Sequence, residues 1–228
     1  MLWRIVRRTV AVSVIGLLVV WGGISVLVER EVPSKLEVWG GVGKMNALIL
    51  YHPSWLDRFQ DDLTMAFGRG LISQGWSVER TTVSSGLDVD FGRYDLIVFG
   101  TNTYYGRPDY PTQNFLARVK LNGKPVAGLV SGAGDTEQSV AALKELIEKS
   151  GGMPVGVKAF WLFRPNDESR MDESNISVAF DSARAFGAEI GRRLIDLNSP
   201  SVERIGMTSW HERRIEVRHS SRKASPSP

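Results

Sequence analysis

The sequence contains no cysteine, and its three histidines, His52, His211 and His219, are scattered along the chain. Without cysteine there are no disulfide bridges and no thiolate chemistry, and histidines so placed do not form the closely spaced ligand sets of zinc or iron–sulfur sites. No Ser-His-Asp pattern or paired-carboxylate motif accompanies His52, which we interpret as a packed, hydrogen-bonded side chain. Any chemistry is therefore expected to come from a bound cofactor.

The net charge is also small, +3 over 228 residues, but basic residues crowd the last 25 positions. Residues 201–228 end in SRKASPSP and are too polar to form a core, so we interpret them as a basic flexible tail. Contact of this tail with anionic lipid headgroups is the alternative to simple solvation. Its basic residues are not interleaved with stacking aromatics, so nucleic-acid binding is not expected.

One long segment lacks charge altogether. Residues 10–28 read VAVSVIGLLVVWGGISVLV, and 19 residues at about 1.5 Å per residue match the hydrocarbon core of a bilayer. A cleaved signal peptide is the alternative, but the following VEREVP offers no A-x-A cleavage site. The sequence predicts a single-pass transmembrane helix. Basic residues flank it on both sides, so the side of the membrane that holds the folded domain stays open.

The chain divides around this segment. We predict a basic N-terminal flank over 1–9, the transmembrane helix over 10–28, a linker over 29–44, a folded domain over 45–200 and the tail over 201–228. The GGVGK string in the linker resembles a phosphate-binding P-loop, but it precedes a strand, and Met45 stands where that motif needs a hydroxyl. We do not assign it a function.

Within the folded domain, apolar runs of strand length alternate with stretches of helical periodicity. The predicted strands are 47–51, 76–78, 96–100, 126–130 and 155–162, and the predicted helices are 56–74, 111–119, 136–149 and 178–197. Nearly continuous apolar strands that alternate with helices indicate a parallel sheet covered on both faces. The fold class is therefore α/β, a three-layer sandwich with a five-stranded parallel sheet, preceded by one transmembrane helix.

Ligands of such sheets bind beyond the carboxyl ends of the strands. Three predicted loops lie there, over 51–58, 100–111 and 131–136. The second contains GTNTYYGRP directly after the strand YDLIVF. Adjacent tyrosines, hydroxyl side chains and a glycine at that edge suggest contact with a planar ligand, although the tyrosines could also simply cap the sheet.

The string YDLIVFGTNTYYGRP resembles the third strand and following loop of flavodoxins, which typically end in Gly-Ser-Pro-Thr-Tyr with a glycine soon after. VAGLVSGAGDT is similar to their fourth strand with its Gly-x-Gly-Asp-Ser turn, and ALKELIEKSGG and SARAFGAEIGRRL are similar to their last two helices. This resemblance to the flavodoxin-like family covers residues 45 to about 197. It implies a three-layer flavodoxin-like sandwich.

The resemblance further implies a site for flavin mononucleotide (FMN). A flat aromatic face and closely approaching backbone would receive the flavin ring. The residues so implied around the ring are Thr101, Asn102, Thr103, Tyr104, Tyr105 and Gly106 after the third strand, and Ser131, Gly132, Gly134 and Asp135 after the fourth.

The first loop departs from the family, whose Ser/Thr-x-Thr-Gly-x-Thr run holds the FMN phosphate with backbone amides and a helix N-terminus. Here Pro53, Trp55 and Leu56 replace two hydroxyls and the glycine. The proline also removes an amide donor. Ser54 and Arg58 are left as the predicted phosphate ligands.

Three hypotheses follow. The first is a membrane-anchored FMN protein that transfers electrons, as a carrier or as a reductase of the quinone or protoporphyrinogen type, with a redox partner protein or a quinone-like substrate. The second is a cofactor-free flavodoxin-like binding module tethered to the membrane. The third is a secreted binding protein whose leader is removed.

Overall fold

The computed structural model describes residues 2–28, 30–40, 43 and 45–198. The predicted tail, 201–228, lies outside them. The helices are α1 (Leu2–Val28), α2 (Phe59–Ser73), α3 (Tyr110–Arg118), α4 (Glu137–Lys149) and α5 (Asn175–Leu197). The strands are β1 (Glu37–Trp39), β2 (Met45–Tyr51), β3 (Trp76–Thr82), β4 (Leu96–Tyr104), β5 (Arg107–Pro108), β6 (Pro125–Gly132) and β7 (Met153–Trp161).

The main sheet has the order β1-β3-β2-β4-β6-β7, and the five strands from β3 to β7 in this order pair in parallel. This confirms the predicted five-stranded parallel sheet, in the flavodoxin-like strand order. Two short antiparallel strands extend it. β1 pairs with β3, although its residues were predicted to be linker, and β5 pairs with the end of β4.

Successive side chains of each strand point to opposite faces of the sheet, so a hydrophobic core forms on each face. In β2, Ala47 and Ile49 pack beneath α2 and α5, whereas Leu48 and Leu50 face α3 and α4. All four side chains are essentially inaccessible to solvent. The predicted three-layer sandwich is therefore confirmed.

Helices α2 and α5 lie unusually close together. A Cβ atom on Gly70 would collide with the backbone of Arg184 and Ala188, and one on Gly187 would collide with the backbone of Phe67. Glycine at both positions allows this approach. The packing fixes the direction of α2, whose first turn borders the carboxyl edge of the sheet.

Helix α1 contains one stretch, Val6–Gly23, that is long and apolar enough to cross a membrane. None of that stretch is buried within the protein. An apolar helix without a protein surface to cover it fits the predicted anchor, and the same features are shared by signal sequences.

Candidate functional site

The carboxyl ends of β2, β4 and β6 lie side by side, because these strands are neighbours in the sheet. We call this side of the sheet the carboxyl edge and the opposite side the amino edge. The three predicted loops meet at the carboxyl edge, where the strand order reverses between β2 and β4. The structure thus brings the predicted site residues to one edge.

A buried carboxylate, Asp109, organises the loop after β4. Its side chain accepts hydrogen bonds from Thr101 Oγ1 at 2.6 Å, from the Asn102 backbone N–H at 2.8 Å and from the Thr112 backbone N–H at 3.0 Å. The last of these caps the N-terminus of α3. One side chain therefore ties the end of β4 to the start of α3.

His52 lies against the same carboxylate. Its Nδ1 is 3.7 Å from Asp109 Oδ2, its Nε2 lies 3.1 Å from the carbonyl oxygen of Arg30, and its side chain is 1% exposed. Burial opposes ionisation of Asp109, but the neighbouring His52 and the hydroxyl and amide donors outweigh it and hold the pKa of Asp109 below its usual value. His52 thus has the packed, hydrogen-bonded position that the sequence predicts.

Beyond this node, β4 and β5 form a hairpin with Thr103 opposite Pro108 and Tyr104 opposite Arg107. The two turn residues, Tyr105 and Gly106, both have positive φ, 51° and 74°. A two-residue turn with both φ positive is the type I′ geometry that suits hairpins, usually with Asn-Gly. The turn projects Tyr105 outward, with 69% of its surface exposed.

The loop after β6 packs against the hairpin. Ser131 Oγ donates to Asn102 Oδ1 at 3.1 Å. A Cβ on Gly132 would contact Thr136 and Thr103, so glycine is needed for the two loops to approach. Gly134 and the exposed Asp135 follow, at the start of α4. The predicted ring-side residues are therefore close neighbours.

The first loop, residues 52–58, has a different character. Ser54 Oγ accepts the Leu56 N–H at 3.2 Å, and Asp57 Oδ1 accepts the Phe59 N–H at 2.9 Å, so protein oxygens already occupy two amide donors. The guanidinium of Arg58 is 75% exposed and lies 2.9 Å from Asp61 and 3.9 Å from Asp62.

These acidic residues decide how a phosphate would fit. The start of α2 is flanked by Asp57 and carries Asp61 and Asp62 in its first turn. Carboxylates near a helix N-terminus take up the favourable dipole field that an anion would otherwise use. Apart from the exposed Arg58, the first loop therefore offers little to complement a dianionic phosphate, and Ser54 and Arg58 as phosphate ligands stay predictions.

A second cation, on strand β3, holds the first turn of α2. Arg80, only 4% exposed, donates to Asp61 Oδ1 at 2.7 Å and to Glu37 Oε2 at 2.8 Å. Although burial raises it, hydrogen bonds from Tyr51 and the charge of Arg80 bring the pKa of Asp61 below its usual value. Asp61 thus remains charged at neutral pH.

Hydrogen-bonding capacity is left unused at the carboxyl edge. Within the described part of the chain, buried side-chain atoms without a hydrogen-bond partner include both amide atoms of Gln60 and the hydroxyls of Thr81, Thr103 and Ser139. Each residue lies near the end of a strand or in the first turn of a helix at this edge. Unsatisfied buried polar groups are costly, and such groups mark places where structure is adapted to something other than stability.

Sequence reasoning did not find several of these residues. Asp109 precedes α3, which was predicted over 111–119 and begins with Tyr110 and Pro111. This is a readable capping signal, but the contacts of Asp109 with Thr101 and His52 are not encoded locally. Gln60 and Arg80 gave no signal, because an isolated polar residue in an apolar pattern does not reveal its partners.

The segment before β1 crosses the same edge. Thr82 Oγ1 donates to the carbonyl of Pro33 at 3.2 Å, and the carboxylate of Glu31 accepts from the N–H and the hydroxyl of Ser85 at 2.8 and 2.6 Å. With the contact between Arg30 and His52, these bonds fix residues 30–33 to the ends of β2 and β3.

Comparison with known proteins supports the fold. No protein-family model and no curated protein matches the sequence. A flavodoxin from the domain Archaea matches with a TM-score of 0.50 and 18% identity, covering 66% of this chain and 99% of its own. An NAD(P)H:quinone oxidoreductase from Methanothermobacter marburgensis matches with a TM-score of 0.50 and 16% identity, covering 64% and 96%. At these identities the likeness shows a flavodoxin-like fold.

Proposed function

We propose that this chain is a single-pass membrane protein whose flavodoxin-like domain binds a flavin at the carboxyl edge and takes part in electron transfer. The observation that carries the proposal is the concentration of unpartnered buried polar atoms at that edge, at Gln60, Thr81, Thr103 and Ser139. The solved structures of this fold include a flavodoxin and a quinone oxidoreductase. A bound flavin would supply one- and two-electron transfer.

The chain's own residues divide the site into two parts. On the ring side, the hairpin presents Tyr105 as an exposed aromatic face, and Gly106 and Gly132 allow the two loops to lie close together. The node around Asp109 holds this side in one conformation. On the phosphate side, the acidic start of α2 provides no complement to a dianion. We therefore expect the ring system to dominate affinity, so that FMN and riboflavin bind about equally.

Membrane anchoring belongs to the same proposal. Helix α1 has the length and composition of a span, and the Arg30 carbonyl, two positions after its end, contacts His52, so that the domain stays at the bilayer. A redox protein held there meets apolar substrates, such as quinone-like compounds, or a membrane-bound redox partner. The proposal predicts that the intact chain resists extraction from membranes by high salt and alkali.

The flavin proposal is tested by titrating the full-length protein in detergent with riboflavin and with FMN, followed by flavin fluorescence and calorimetry. We expect both to bind, with affinities that differ by less than about tenfold, or 1.4 kcal/mol. FMN binding more than tenfold tighter would show that the first loop does hold the phosphate.

A second function is favoured by the same acidic loop. A cofactor-free binding module at the membrane would need no phosphate site. The carboxylates of Asp57 and Asp62 at the start of α2 would then not interfere with its function. Absence of binding for both riboflavin and FMN, in protein whose thermal unfolding is cooperative, would favour this module over the flavin protein.

A further inference from the structure

Exposed aromatic side chains are segregated on the folded domain. Among the described residues outside α1, the exposed aromatics are Trp55, Tyr105, Tyr110 and Phe163, with exposed fractions from 50% to 83%. All four lie at the carboxyl edge: Trp55 and Phe163 on the loops after β2 and β7, Tyr105 at the hairpin tip, and Tyr110 at the start of α3. Leu56, 72% exposed, adds to them. Exposed apolar groups collected on one side of a protein mark an interaction surface.

The chain tethers this surface to α1 at very short range. Arg30 is bonded through its carbonyl to His52 and lies only two positions after the end of α1 at Val28. Two steps along the chain reach at most about 7 Å. If α1 spans the bilayer, its exit point and the carboxyl edge are therefore adjacent.

A direct contact supports this arrangement. The rings of Trp21 and Tyr105 meet edge to face, with centroids 5.4 Å apart. Trp21 stands near the carboxyl end of the apolar stretch Val6–Gly23, about two turns before α1 ends at Val28. Tyr105 at the hairpin tip thus contacts the end of α1 that leads into the folded domain, which is the end nearer the membrane–water interface. Tryptophan and tyrosine suit this layer, since each combines an apolar ring with a polar group.

The charges on this surface do not provide a strong attraction to a membrane. Its loops carry Arg58, Arg107 and Arg164, but also carboxylates such as Asp57, Asp135 and Asp167. Without an excess of positive charge, attraction to anionic headgroups is weak. Apolar insertion is the interaction that the exposed side chains provide.

We propose that the carboxyl edge lies against the bilayer that α1 spans, with Trp55, Leu56, Tyr105 and Phe163 in its interfacial layer. The ligand edge then opens toward the membrane, and the domain takes its reactant from the bilayer rather than from bulk water. This inference rests on the proposed function, because it takes α1 to be a transmembrane helix.

The absence of cysteine allows a direct test, since a single introduced thiol can be labelled uniquely. Leu56→Cys and Phe163→Cys place a fluorescent bimane at the carboxyl edge. Met153→Cys, at an exposed position (52%) at the amino edge, is the matched control. Each full-length variant is reconstituted into phosphatidylcholine vesicles that contain lipids with a nitroxide near the top of the acyl chain.

An interfacial side chain lies about 5–10 Å into the headgroup and acyl boundary, so the labels at 56 and 163 are expected to lose more than about half of their fluorescence. The label at 153 is expected to lose little. Raising the salt concentration to about 1 M, where the Debye length is about 3 Å, is expected to leave the difference unchanged.

Equal quenching at all three positions, or no quenching at 56 and 163, would overturn the inference. Alkaline extraction of the same vesicles distinguishes a wrong orientation of the domain from the absence of a membrane anchor. A chain that resists extraction but shows no edge-specific quenching retains the anchor and loses only the orientation, whereas a chain released by alkali loses both.

Discussion

The two edges of the sheet are built differently. At the amino edge polar groups are paired at every degree of burial. The exposed Asp95 accepts the Asn46 N–H at 2.8 Å, the partly buried Lys124 donates to the carbonyl of Tyr94 at 2.6 Å, and the buried Trp76 indole donates to the Gly191 carbonyl at 3.2 Å. At the carboxyl edge, several buried side chains of the described residues, among them Gln60, Thr103 and Ser139, lack partners, and aromatic rings face outward. In the proposed function, the amino edge serves stability and the carboxyl edge serves binding at some loss of stability.

The largest expected effect belongs to the amino edge. Trp76 is 1% exposed and packs within the core beneath α2 and α5. Trp76→Ala should lower the free energy of unfolding by about 3–5 kcal/mol, because it opens a cavity and leaves a carbonyl unpaired. Urea denaturation in detergent measures this loss. Riboflavin affinity of the folded fraction should not change, and a large change would break the proposed division of roles.

The next effect concerns Asp109, a buried group at the carboxyl edge that is paired. Asp109→Ala should cost about 2–4 kcal/mol, because it removes the cap of α3 and leaves Thr101 and the Asn102 N–H without their acceptor. Asp109→Asn, which retains an oxygen acceptor, should cost less. Equal stability of the alanine variant and the wild type in urea denaturation would contradict this assignment.

The Asp109 carboxylate also makes the stability of the fold depend on pH. Because the pKa of folded Asp109 is lowered, its contribution to stability is complete above the unfolded value of about 3.9 and is lost as the pH falls through the folded pKa. Unfolding should therefore become easier below about pH 4, and Asp109→Asn should flatten this part of the profile. An identical acid profile in the variant would show that other carboxylates dominate.

These residues also show how far the sequence could lead. Apolar periodicity was sufficient for five parallel strands and four helices, because burial on both faces imposes it along each element. The hairpin was missed, because Tyr105 adopts a positive φ that local preference assigns to asparagine or glycine. The pairing of His52 with Asp109, 57 residues later, and the fixing of the linker by carbonyl groups depend on tertiary approach and have no local signature.

The acidic start of α2 provides the next test. Asp57→Asn together with Asp62→Asn should raise FMN affinity about tenfold, or 1.4 kcal/mol, by removing charge repulsion at the phosphate side. Riboflavin affinity should stay constant. Glu189→Gln with Asp196→Asn, exposed on α5, makes the same change in net charge away from the site. Parallel gains in the control would point to a general field effect instead.

The smallest effect tests the central claim most directly. Thr103→Val replaces a buried hydroxyl that has no partner among the described residues with a methyl group of similar shape. If the carboxyl edge exchanges stability for binding, this variant should be more stable by about 1 kcal/mol, because it no longer buries an unsatisfied group. It should also bind riboflavin more weakly than the wild type. Thermal unfolding and riboflavin titration of the two full-length proteins decide the matter, and a Thr103→Val protein that is less stable yet binds riboflavin unchanged would contradict the account.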